Sequence, residues 1–245
     1  MKKRLLMLVL VFSSFLCFSQ TLVGARLFLV PNFVTGGNIV AENDLYSLIY
    51  TYGILKQEAE DVVNTSRSNF AVGAEAYLQV GITPKIAIEG TVGITSNQGY
   101  TTDISVDTDE GKETISSYER KFKTIDFSVL GKYTFAKSSM GYLSAFLGPK
   151  LSYTGKSISE GIFINAENTS VQEYEPFQNK FLFGVKAGAE AAITVANKTL
   201  VTVNASGFYD FTPVFKEEII GEWFSNAVGN RLGFYIGIGI AYSLK

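Results

Sequence analysis

Residues 70–95 alternate with a period of two, and that pattern limits what the chain can become. Phe70, Val72, Ala74, Ala76, Leu78 and Val80 share one parity, and Ala71, Gly73, Glu75, Tyr77 and Gln79 the other. The chain turns at Thr83-Pro84-Lys85 and the alternation resumes. Ile86, Ile88, Gly90, Val92 and Ile94 then oppose Ala87, Glu89, Thr91, Gly93 and Thr95. Side chains of a strand point to opposite faces in turn, so this stretch reads as a hairpin with one greasy face and one polar face. The apolar parity is unbroken. The polar parity carries the charges.

Six more segments repeat the pattern. The reading places strands at Leu22–Val30, about Phe122–Phe135, Leu143–Tyr153, Phe181–Ile193, Val201–Phe211 and a last one from about Arg231 to Leu244. With the hairpin this makes eight. Pro149 falls inside the fifth, where a missing donor predicts a bulge or an end to regular pairing. The connections alternate between long and short. Long segments cover Pro31–Ser68, Ser96–Glu119, Thr154–Gln178 and Thr212–Asn230, and short turns join the rest. Sequential antiparallel hairpins then gather the long loops at one end and both termini with the short turns at the other.

Charge placement decides which face looks inward. Arg26, Lys132, Lys150, Lys186 and Arg231, with Glu75, Glu89, Asp126 and Glu190, all fall on the polar parity. A narrow barrel fills its interior with side chains, and ions buried there must be paired. Five cations against four anions is close to the balance such an interior needs. A soluble barrel of the lipocalin type would reverse the faces and spread Phe, Ile and Val over its outside, which would aggregate in water. The expectation is therefore an all-β protein: an eight-stranded antiparallel up-and-down transmembrane β-barrel, its apolar face against lipid and these nine residues forming an ion-pair network in the lumen. Tyr133, Phe135, Tyr153, Phe181, Tyr209, Phe211 and Tyr242 lie near strand ends on the outward parity, where interfacial girdles sit.

Composition agrees. Charged residues make up only 18% of 245, Gly numbers 23, and mean hydropathy is +0.17. No basic cluster beyond the N-terminus suggests nucleic acid. Lys2, Lys3 and Arg4 precede an apolar run from Leu5 to Leu16, too short to span a bilayer, with Ser19 just before a cleavage point. Residues 1–19 read as a cleaved secretion signal and residues 20–245 as the barrel domain. Cleavage would take the net charge from −2 to −5 and remove the single cysteine, Cys17. A strand-rich exported chain can be integral to a membrane only as a closed barrel, which points to the bacterial outer membrane.

The phrasing resembles the PorT-like group of small outer-membrane barrels of Bacteroidota-type bacteria. The pieces are Ser19-Gln20, Phe146-Leu147-Gly148-Pro149, Phe183-Gly184-Val185-Lys186-Ala187-Gly188 and Ile238-Gly239-Ile240-Ala241-Tyr242. The resemblance implies an outer-membrane barrel, usually without an assigned activity. Such barrels commonly end on an aromatic; this chain ends Ser243-Leu244-Lys245, with Tyr242 the nearest one.

Little in the chain suggests catalysis. There is no histidine, and general bases and zinc sites lean heavily on it. Glu75 and Glu89 are a pair that a carboxylate-only hydrolase could use, against a structural role as luminal ions. No cofactor is expected. The four long segments carry 18 acidic and five basic residues. Asp103, Asp107, Asp109 and Glu110 are the densest group and an oxygen-rich candidate for divalent cations, against a plain solvated loop. Leu45, Leu48, Ile49 and Tyr52 recur at helical spacing, and Thr212-Pro213 has the form of a helix start ahead of Phe215, Ile219, Trp223 and Phe224. Either segment could cap the barrel mouth or meet a partner. The functional expectation is a non-enzymatic barrel whose partners are the outer-membrane bilayer and an envelope protein met through the long loops. The alternative is a small transport or ligand-binding barrel.

Overall fold

The structure is a computed structural model that describes residues 21–35, 62–108, 111–163, 169–174, 179–214 and 230–244. The secretion signal and the two helical segments proposed in the first and fourth loops, apart from Thr212 to Val214, lie outside the described residues. The described residues form nine strands: β1 (Thr21–Thr35), β2 (Val62–Gly81), β3 (Ile86–Thr108), β4 (Gly111–Ser138), β5 (Gly141–Phe163), β6 (Thr169–Tyr174), β7 (Phe181–Ala196), β8 (Thr199–Asp210) and β9 (Asn230–Ser243).

Eight of them close into an antiparallel barrel in the order β1-β2-β3-β4-β5-β7-β8-β9, with β9 pairing back to β1. Leu22 faces Ser243 across the closing seam, and the Leu244 amide donates to the Thr21 carbonyl at 2.9 Å. Both ends of the described barrel therefore lie beside the short turns. Closure leaves no open sheet edge in the wall, a necessity wherever water cannot satisfy the backbone.

The burial pattern follows the parity. Along β1, Thr21, Leu22, Arg26, Phe28 and Val30 are buried, while Val23, Leu27 and Leu29 are exposed. Leu27 is 65% exposed and Ile238 59%, so the aliphatic stripe forms the outside of the cylinder. Tyr133, Phe135 and Tyr242 stand outward near the short-turn end. Tyr153 and Phe181 (rings 5.4 Å apart) and Tyr209 and Phe211 (5.5 Å) stand near the other.

Three expectations need correction. The segment Ser96–Glu119 is not an irregular loop, because β3 runs on to Thr108 and β4 starts at Gly111. Its Thr, Ile, Val and Tyr residues suit a strand, and each arm templates the other once pairing has begun. The extension beyond Thr95 measures roughly 40 Å along the strand. It begins at an irregularity between Thr95 and Gln98, where Asn97 takes a positive φ of 57° that asparagine tolerates. In the same way β5 extends past Thr154 to Phe163 and pairs with the added strand β6. Finally, Pro149 makes no bulge. Its partners in β4 drop out of the ladder, but Ser128–Lys150 and Gly131–Leu147 keep one register on either side, and β7 pairs through Pro149 to Val185. The missing donor is absorbed by two lost pairs.

Inward glycines make room for inward aromatics. Gly24 lies across from Tyr77 and Gly73 across from Phe28. A Cβ on Gly73 would sit 2.3 Å from the Phe28 ring and 2.8 Å from the Ile94 carbonyl. Gly90, on the outward face, has open space where its Cβ would be. We therefore expect Gly73→Val to destabilise the barrel by about 1–3 kcal/mol, and Gly90→Val to stay within about 0.5 kcal/mol, in denaturant titrations from detergent micelles.

Candidate functional site: the ionic core of the lumen

All nine residues singled out for the lumen are buried, and they sort into two groups at different heights. β1, β2, β3, β4 and β7 bring Arg26, Lys132 and Lys186 together with Glu75, Glu89 and Glu190. The Arg26 guanidinium donates to Glu75 Oε1 at 2.9 Å and grips Glu89 with both terminal nitrogens, at 2.7 and 3.0 Å. It also donates to Glu190. Lys132 Nζ reaches Glu190 at 2.5 Å, Glu89 at 3.1 Å and the Gln79 side-chain oxygen at 2.9 Å. Lys186 completes the group at 3.0 Å from Glu75. Three cations meet three carboxylates, with the Tyr142 hydroxyl donating to Glu190 and the Tyr77 ring 3.7 Å under the guanidinium.

The second group lies nearer the long connections. Lys150 Nζ sits 3.2 Å from both Asp126 and Asp210, and Arg231 Nε donates to Asp210 at 2.6 Å. Ser152 accepts from Arg231 at 2.8 Å and donates to Asp126 at 2.5 Å. Thr95 and Thr124 each donate to Asp126 at 3.1 Å, and Arg231 also donates to the Gln98 side chain. Two cations meet two carboxylates.

Asp210 is the residue the sequence reading passed over. It continues the inward parity of Thr202, Asn204, Ser206 and Phe208 by one step, at the last position of β8. That parity was the available signal. Counting it brings the luminal ions to five of each sign. Gln98 was missed for another reason: it lies in the stretch read as loop.

Phe28, Val30, Ala71, Phe208 and Tyr235 form a buried apolar layer between the two groups. Tyr235 packs edge-on to Phe28 at 4.9 Å, and Lys186 and Lys150 lie over Tyr235 and Phe208 at 4.7 and 4.5 Å. A second layer, Leu22, Tyr77, Ala192, Leu200 and Ala241, closes the short-turn side. The lumen is thus a stack of alternating neutral ionic and apolar layers. Arg26 Nε and side-chain oxygens of Asn204 and Ser206 are buried without a protein partner, positions where internal water would bind.

The barrel is closed, with a lipid-compatible exterior and paired ions inside. The family model for the outer membrane protein beta-barrel domain matches residues 35–216, well over half the chain. The chain belongs to that family. It is an integral protein of the bacterial outer membrane, embedded in the bilayer. Among solved structures, the barrel is similar to Neisserial surface protein A (13% identity, TM-score 0.41, covering 91% of this chain and 97% of that one). It is also similar to OprG from Pseudomonas aeruginosa (10%, 0.45, 92% and 96%) and to the attachment invasion locus protein Ail of Yersinia pestis (7%, 0.38, 91% and 99%). No curated protein matches it by sequence.

The stack makes a prediction about stability. Arg26→Met strands three buried carboxylates with one counter-ion too few, so the barrel should lose about 3–5 kcal/mol in denaturant titrations. The exposed Lys198→Gln should lose no more than about 0.5 kcal/mol. The difference should persist at high salt, because the pairs are sealed from solvent.

Proposed function

We propose that this family member is a non-enzymatic membrane anchor, which holds an acidic outer surface in place for a basic partner in the envelope or in a secretion assembly. The observation that carries the reading is the filled lumen. Two charge-neutral layers and two apolar layers occupy the bore that a channel or ligand-binding barrel would need open. A barrel with nothing to conduct is left with its surfaces.

Those surfaces are unequal. The connections and strand extensions on one side carry most of the acidic residues of the chain. The β3–β4 hairpin gives them a long, hydrogen-bonded support rather than a free tether. An enzymatic role has little to stand on: histidine is absent, and Glu75 and Glu89 are both committed to Arg26. Phe146-Leu147-Gly148-Pro149 and Phe183-Gly184-Val185-Lys186-Ala187-Gly188 support a place for the chain in the PorT-like group.

Two measurements test this. Purified barrel in planar bilayers should give no steady unitary current; stepwise conductance would favour the transport reading. Cross-linking in intact cells should capture an envelope protein. The yield should fall when Glu113 and Glu119, on the projecting part of β4, are changed to lysine, while heat-modifiable migration stays normal. Unchanged yield would sink the partner reading.

A further inference from the structure

The short-turn end has a charge pattern the anchor reading leaves unused. The chain has 23 acidic residues: 18 in the segments on the long-connection side and the five luminal carboxylates. None falls in a short turn. Each of the three short hairpin ends carries one lysine, Lys85, Lys137 and Lys198, all exposed. Lys85 and Lys137 line one cleft of about 290 Å³, beside Gln79, Thr83, Thr134 and Tyr142. Lys198 does not line it.

We propose that this cleft binds the phosphate headgroup of an anionic phospholipid from the inner leaflet of the outer membrane. The turn is held in place by hydrogen bonds. Thr83 Oγ1 accepts from the Lys85 and Ile86 amides at 3.3 and 3.0 Å, and the Thr134 amide donates to the Lys85 carbonyl at 2.7 Å. The backbone carrying Lys85 is therefore fixed against β4, close to the end of that strand, which carries Lys137. Lys132 occupies the Gln79 oxygen, which leaves the Gln79 NH₂ as a further donor on a cleft-lining residue. The layer below is neutral, so it does not repel an anion. Cations, neutral donors and no carboxylate suit a phosphate.

The surroundings favour a lipid over a soluble anion. Ile82 and Ile86 also line the cleft, and both are nearly half exposed. Ile86 pairs with the outward Tyr133, so the cleft's apolar edge runs directly into the lipid-facing band. An occupant with a phosphate and acyl chains satisfies both halves. In barrels of this topology the short turns lie on the periplasmic side, at the level of inner-leaflet headgroups. Basic residues at that level bind anionic lipid with a gain near 1 kcal/mol each.

The test is native mass spectrometry of the full-length folded barrel, released from neutral detergent doped with phosphatidylglycerol or phosphatidylcholine. The wild type should retain one phosphatidylglycerol and no phosphatidylcholine. The Lys85→Gln/Lys137→Gln double variant should need roughly 30-fold more phosphatidylglycerol for equal occupancy, and Lys198→Gln should behave as wild type. Millimolar inorganic phosphate should leave the lipid bound. The proposal is overturned if the double variant retains lipid normally, if Lys198→Gln loses it equally, if phosphatidylcholine binds as well, or if inorganic phosphate displaces the lipid. Heat-modifiable migration checks that each variant folds. If the double variant does not fold, each single variant should still show a loss of roughly fivefold.

Discussion

An ion enclosed by a β-barrel cannot fall back on water, and this constraint governs the whole molecule. Each luminal cation must find its carboxylates within the wall, so strands distant in sequence must close at one register. Arg26 and Glu190 are far apart in the chain, yet they meet because β7, β8, β9 and β1 stand side by side. A slip by one residue in any strand would turn its charge toward lipid and its aliphatic stripe into the lumen. The ion pairs gain little over an apolar filling of equal volume, but breaking one is expensive. They contribute specificity of register more than net stability.

The apolar layers solve a different problem. Two ionic clusters stacked directly would leave polar faces with no partner. The layer of Phe28, Phe208 and Tyr235 separates them and offers ring faces to Lys186, Lys150 and Arg231. Large rings fit inside a narrow cylinder only where the opposite strand has no side chain, hence Gly73 beneath Phe28 and Gly24 beneath Tyr77. The glycines on the polar parity are thus part of the packing.

The two rims follow from the same segregation. The acidic residues not used in the lumen belong to the long connections and strand extensions, and the short turns carry lysine as their only charged residue. In the proposed reading, one end would meet a basic protein surface and the other anionic lipid, with the filled lumen lying between them.

The sequence alone determined the strand-rich barrel, its inward and outward faces, the alternation of long and short connections, and nine of the ten luminal ions. Period-two parity needs only local order to be read, and segregation of charge onto one parity says which side meets lipid. Asp210, the tenth, follows from the same parity once β8 is carried one step further. The sequence could not determine which ions pair or that they divide into two neutral layers, because those depend on strand register and closure. Nor could it foresee that the polar stretch after Thr95 stays in strand. That depends on a partner arm with matching hydrogen-bond positions, which exists only once β3 and β4 are side by side. The lysine cleft at the short-turn rim has the same origin: Lys85 and Lys137 are separate in the chain and become neighbours only when β4 packs against the β2–β3 turn.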